Sequence, residues 1–157
     1  MRNIRRLGIG KGIDGKMSGS GSGCGYLLQI VYPACPQPEL VMGLPPHSDF
    51  GLLTLLIQNE VGGLQIQRNG KWININPIPN SILVNTGDHL EIFTNGKYKS
   101  VLHRAAVNKV ARISIGIASG PAMNATVGPA HSPLIQNETF PPLYVPMKFS
   151  EYVEMAD

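Results

Sequence analysis

The chain has 157 residues, 43% hydrophobic and 15% charged, which is enough for one domain with an apolar core and unlike a disordered chain. The net charge of +3 comes from the first 16 residues, where Arg2, Arg5, Arg6, Lys11 and Lys16 stand against Asp14; beyond them lie eight of the 13 basic residues and nine of the 10 acidic ones. With no basic stripe on the rest, no nucleic-acid partner is expected, and no apolar run approaches the ~20 residues of a membrane span. The N-terminus lacks the apolar stretch of a secretory signal. Two cysteines, Cys24 and Cys35, make neither a disulfide framework nor a C-x-x-C metal pair, so a reducing cytoplasm is the expected setting, with no obligate protein partner.

Residues 1–25 are rich in Gly, Ser, Lys and Arg, and 17–23 read as linker, so this segment is expected to be flexible and disordered. The folded domain is expected over 26–157. Leu27–Tyr32 is an apolar run closed by Pro33, and 34–39 is a Pro-stiffened loop. Leu52–Ile57 is a continuous apolar run of the kind buried on both faces. Leu64–Gln67 alternates apolar and polar, Asn69-Gly70 is the favoured two-residue hairpin turn, and Trp72–Ile75 returns with Ile73 and Ile75 on one face. Trp72 is expected to cover the core beside this hairpin. Further strands are expected at Ser81–Asn85, Ser100–Val107 and Arg112–Ala118, with turns at Gly87-Asp88 and Asn95-Gly96. Beyond Gly120 the chain is looped, and Phe149–Met155 is expected to be a short terminal helix. About seven short strands with frequent turns define an all-β sandwich or barrel.

His47 and Asp49 form His-x-Asp, and in extended backbone residues two apart project to one side. His103 lies in an expected strand with Val101 and Ala105 on its own face. If that strand neighbours the His47–Asp49 segment, two imidazoles and one carboxylate occupy one face of a metal ion and leave three positions open, the facial triad of iron(II) oxygenases. Nine residues on, strand periodicity puts Arg112 and Ser114 on one face and Ile113, Ile115 and Ile117 on the other. A buried guanidinium needs a partner, and a carboxylate is the best one. A dicarboxylate such as 2-oxoglutarate supplies it, with its keto-acid end on the metal and the Ser114 hydroxyl assisting.

The stretches 32–40, 43–49, 62–66, 70–72, 85–88, 95–104 and 112–114 together carry a family resemblance. From about Leu27 to Tyr152 the chain resembles the C-terminal catalytic half of plant 2-oxoglutarate/iron(II)-dependent dioxygenases, the isopenicillin N synthase-like group. The wording from Met42 to Gln58 is similar to a subgroup that hydroxylates small, largely apolar molecules. The resemblance implies a double-stranded β-helix, or jelly roll. It implies His47, Asp49 and His103 as iron(II) ligands, and Arg112, Ser114 and Tyr32 as partners of the far carboxylate of 2-oxoglutarate, with ascorbate keeping the iron reduced. The implied reaction is hydroxylation or desaturation of a small organic molecule in plant specialised metabolism, with release of succinate and CO2.

Three departures from the family are visible. Its members are longer and carry an N-terminal helical region. They usually read Asn-Tyr-Tyr-Pro where Ile30-Val31-Tyr32-Pro33 stands here. The segment between His103 and Arg112 is one residue short, and a register slip there turns Arg112 to the opposite face. Two other readings use the same residues: a truncated remnant that binds metal without turnover, and a cupin-like metal-binding barrel, which ordinarily uses more His ligands and has no need of Arg112-x-Ser114. His89 is expected as a surface or turn residue and His131 in a loop, neither as a ligand. Asp88 is expected to bond its own backbone in a turn, Cys35 to be a small buried hydrophobe, and Phe50 either to line the substrate pocket or to pack.

Overall fold

The structure, a computed structural model, describes residues 5–6, 10–11, 15–17, 23–131 and 139–156, with side chains from residue 25 onward. In chain order the elements are β1 (Arg5–Arg6), β2 (Gly10–Lys11), β3 (Gly15–Met17), β4 (Gly23–Tyr32), a 3₁₀ turn at Pro38–Leu40, β5 (Val41–His47), β6 (Leu53–Gln58), β7 (Leu64–Arg68), β8 (Lys71–Ile75), β9 (Leu83–Thr86), α1 (Asp88–Phe93), β10 (His103–Ala106), β11 (Arg112–Pro121), β12 (Thr126–Val127), β13 (Met147–Lys148) and α2 (Phe149–Ala156). The flexible segment expected over 1–25 falls mostly outside the described residues. The parts that are described pair as strands: β1 lies parallel to β5, and β2 and β3 lie antiparallel to β4.

One sheet runs β1-β5-β10-β7-β8 and the other β2-β4-β11-β6-β9, antiparallel apart from the β1–β5 pair. Together they form the expected jelly roll. The β7–β8 hairpin turns on Asn69 and Gly70, whose φ values of 50° and 74° are the pair of positive angles that its two-residue turn requires. The long ladder of β11 with β4 puts Tyr32 opposite Arg112 and Ile30 opposite Ser114. The short link before β11 therefore causes no slip. Arg112 is 1% exposed and faces inward, while Ile113 on the other face is 43% exposed.

β5 was not among the strands expected from the sequence, and Gly43, Pro45 and Pro46 are residues that a strand interior disfavours. Its pairing with β10 explains how they are accommodated. His47 opposes His103, Leu44 opposes Ala105 and Met42 opposes Ala106, so β5 carries an extra residue at each of two bulges. The prolines, which cannot donate to a ladder, sit in one bulge, and Gly43 sits in the other. A Cβ at Gly43 would collide with the carbonyl oxygen of Ala105 and press on the Tyr32 ring.

Leu52–Ile57 was expected to be buried on both faces. In the β6 strand that forms there, Leu55 and Ile57 turn outward and stay exposed, Leu55 between Val84 and Ile117 and Ile57 beside Ile115. A short apolar run cannot by its pattern tell one-faced from two-faced burial. Trp72 also departs from expectation. It lies on the side of the hairpin away from His103, with the Arg104 guanidinium carbon 4.2 Å from its ring centroid. Two apolar clusters anchor the fold. One joins Tyr32, Cys35, Ala105 and Val107; the other packs Val127 and Phe149 with Phe50 and Tyr152, so Phe50 is a packing residue. The expected terminal helix is present as α2, and α1 forms where a turn was expected.

Candidate metal and carboxylate site

The register pair His47–His103 brings two imidazoles together across β5 and β10, with ring centroids 4.3 Å apart. Asp49 follows two residues after His47, and its Oδ1 lies 3.7 Å from the Nε2 of each histidine. One ligand atom from each residue falls within 4.8 Å of the other two, so the three can share a metal ion. Each ring is held from behind. His47 Nδ1 is 2.8 Å from the carbonyl oxygen of Pro45, and His103 Nδ1 is 2.8 Å from that of Val101. A carbonyl only accepts, so each Nδ1 is the donor of its bond, and Nε2 is left as the ring atom that faces the shared centre.

The turn bearing Asp49 is stitched to the start of α1. The amides of Gly87, Asp88 and His89 donate to the carbonyls of Leu52, Asp49 and Gly51 at 3.0, 2.8 and 3.1 Å. Gly87 has to be glycine, because a Cβ there would strike the carbonyl oxygens of Gly51 and Asp49. Asp88 was expected to serve its own turn. Instead its carboxylate accepts from Ser48, the residue between the two ligands, at 3.0 Å and from Tyr152 of α2 at 2.8 Å. Burial, and then the hydrogen bond to Asp88, push the Tyr152 hydroxyl pKa far above 10. Asn85 of β9 donates to Asp49 Oδ2 at 2.7 Å.

Arg112 and Ser114 project from β11 into the same cavity, which measures about 100 Å³ and is also lined by Ile30, Tyr32, His47 and His103. The Arg112 guanidinium carbon lies 4.4 Å from the centroid of the Tyr32 ring, and its Nε and Nη1 have no hydrogen-bond partner. Burial lowers its pKa from the ordinary 12.5, and the neighbouring Tyr32 draws it back up. A guanidinium remains protonated in such a place. Burial likewise raises the Tyr32 hydroxyl above 10, against the Arg112 charge and a hydrogen bond with Ser114. A buried cation with two orphaned donors, a tyrosine and a serine hydroxyl form a cradle that fits a carboxylate.

All six residues expected at the site therefore line one cavity, with the His–Asp–His group on one wall and the Arg–Ser–Tyr group on another. The other two histidines lie elsewhere. His89, expected as a surface or turn residue, sits half-buried in α1, between the rings of Phe93 and Phe149 at 6.3 and 6.1 Å, and burial lowers its pKa below 6.5. His131 is exposed at the end of a described stretch. Sequence reasoning missed Asn85 and the Ser48–Asp88–Tyr152 set as parts of the site. The only signal for them was the Asn-Thr-Gly-Asp stretch, where Asn85 and Asp88 fall three apart on either side of the tight Gly87.

Residues 24–121 match the family model of the 2OG-Fe(II) oxygenase superfamily, and the chain belongs to that family. It is 48% identical over 124 residues to Protein DMR6-LIKE OXYGENASE 2 of Arabidopsis thaliana, covering 78% of this chain and 36% of that protein. It is 40% identical over 157 residues to flavonol synthase/flavanone 3-hydroxylase of Petunia hybrida, covering 97% of this chain and 44% of the relative. The crystal structure of JOX2 in complex with 2OG, Fe and JA superimposes with a TM-score of 0.80 at 38% identity, over 85% of this chain and 40% of that one. The chain thus spans less than half the length of these relatives. Among the described residues no helix is long and apolar enough to cross a membrane.

Proposed function

We propose that this chain forms the catalytic core of an oxidoreductase that oxidises a small organic molecule with dioxygen and 2-oxoglutarate at an iron(II) centre. In hydroxylation, one oxygen atom of O2 enters the substrate C–H bond and the other enters succinate, as 2-oxoglutarate loses CO2. In desaturation, two substrate hydrogens leave and the first oxygen departs as water. When bound, iron supplies the activation of dioxygen.

The chain's own residues would hold the reactants. His47, Asp49 and His103 are the metal ligands in this reading, two neutral donors and one anion on a single side. Arg112 would take the far carboxylate of 2-oxoglutarate by a charge-assisted pair, with Ser114 and Tyr32 adding hydroxyl bonds. The observation that carries the reading is the buried Arg112 with two unpartnered nitrogens, facing the same cavity as the His–Asp–His group. A cupin-like barrel that needs only its metal has no use for such a cation. A single jelly-roll domain over 26–157, a cytoplasmic setting consistent with the free buried thiol of Cys35 and a place in plant specialised metabolism complete the proposal. The plant relatives support the last of these.

The test is an anaerobic titration with iron(II) and then 2-oxoglutarate. A visible charge-transfer band saturating near one equivalent is the expected result. Metal uptake without the band would leave a metal-binding barrel. Uptake of neither would mark a chain that keeps the motifs without the activity.

A further inference from the structure

Asp49 uses its two oxygens differently. Oδ1 lies 3.7 Å from both histidine Nε2 atoms, at the centre where a metal would sit. Oδ2 is turned away and accepts the Asn85 side-chain amide at 2.7 Å. A carboxylate has one soft torsion, and rotation about it could offer both oxygens to a metal. A second carboxylate oxygen on the ion would fill one of the three positions that a facial triad leaves open.

We propose that Asn85 is the positioning residue of the metal site: its amide holds Asp49 as a one-oxygen ligand and so keeps a coordination position open for the co-substrate. This rests on the metal-site reading given above. Three features fit Asn85 to the task. Its backbone is fixed in β9 by the ladder to β6, where it opposes Thr54. Residues 87–89, just beyond it, hold the main chain of 49–52 through three amide bonds, so one short segment fixes both the backbone and the side chain of the ligand. The amide is also neutral. It fills one lone pair of Oδ2 without cancelling the anionic charge that the metal needs, which Lys or Arg at this position would do.

The experiment uses cobalt(II) as the metal probe on the whole chain. Its visible spectrum reports coordination number, and 2-oxoglutarate is added afterwards. Wild type is compared with Asn85→Leu, which removes the donor at similar size, and with Thr54→Val, a control on the facing strand that leaves the Asn85–Asp49 bond in place. The expected result for Asn85→Leu is cobalt affinity reduced by about 10- to 100-fold. Its spectrum should change before any 2-oxoglutarate is added, and the second ligand should then bind more weakly than to the loaded wild type. Thr54→Val should match wild type in all three readouts. Should Asn85→Leu lose its circular-dichroism fold, Asn85→Ala, which adds no bulk, reads the same quantities. An Asn85 variant that is folded and binds cobalt with wild-type affinity and spectrum overturns the role of Asn85 alone. A folded wild type that takes up no cobalt overturns the metal site and this inference with it.

Discussion

The guanidinium of Arg112 lies over the ring of Tyr32, its carbon 4.4 Å from the centroid, and the two residues are directly opposed across β11 and β4. The pair is among the most buried of the described residues, at 1% and 2% exposure. The ring face offers the cation some compensation for lost water, yet two of its nitrogens stay unbonded. Folding therefore does not favour the charge at this place, and binding can.

Arg112→Met follows from this. Methionine fills similar space without a charge, and replacing a buried ionic group with an apolar one is often neutral or stabilising. The melting temperature of the ligand-free protein should hold or rise. Affinity for 2-oxoglutarate should fall by roughly 1.5–3 kcal/mol, the size of a hydrogen bond to a charged group. Calorimetric melting and titration of the one variant check both halves.

His103→Ala should remove metal binding, because it takes one of the three convergent ligand atoms. His89→Ala should leave metal affinity within a fewfold, since its ring sits between Phe93 and Phe149, away from the triad. Equal loss in both variants would refute the ligand assignment.

His89 should show itself through pH instead. Burial lowers its folded pKa below the ordinary 6.5, so between that lower value and 6.5 the unfolded chain binds the extra proton. Stability should therefore fall as pH drops through this window. In His89→Phe that part of the acid limb should flatten, as read by melting temperature against pH.

Tyr152→Phe removes the hydroxyl that α2 donates to Asp88. The loss should be about 1 kcal/mol of stability, more if Asp88 is left poorly bonded. Because the folded pKa of Tyr152 lies above the ordinary 10, its contribution is fully present below pH 10 and is lost as pH rises through the folded value. The variant should lack that alkaline limb in a melting series.

Gly63→Ala puts a methyl group against Arg112 Nη1 and the carbonyl oxygen of Ala106, at a residue with φ of 116°. Destabilisation of more than about 1 kcal/mol is expected from the backbone angle alone. A weakened 2-oxoglutarate affinity should accompany it as Arg112 is displaced. Chemical denaturation and titration measure the two effects.

Much of the site was legible because its logic is local. His47 and Asp49 stand only two residues apart, Arg112-x-Ser114 projects to one side by strand periodicity, and Asn69-Gly70 announces its own turn. What stayed hidden is non-local. The β5 strand, with its glycine and two prolines, is explained only by its bulges against β10, and α1 was hidden behind Gly87-Asp88. Asn85 is 36 residues from the carboxylate that it holds, and Asp88 is 64 from Tyr152. No pattern along the chain encodes pairings made by the closing of two sheets. The outward turn of Leu55 and Ile57 was likewise invisible, since apolar residues read alike whether covered or bare.

The two walls of the cavity belong to different sheets. His47 and His103 stand on β5 and β10, while Tyr32, Arg112 and Ser114 stand on β4 and β11. A dicarboxylate gripped at one end by a metal on the first wall and at the other by Arg112 would act as a rivet through two plates. Its binding free energy then becomes cohesion between the sheets, about 2.7 kcal/mol when the free ligand stands at 100 times its dissociation constant. A shorter diacid that reaches only one wall would fasten nothing, however tightly it held there.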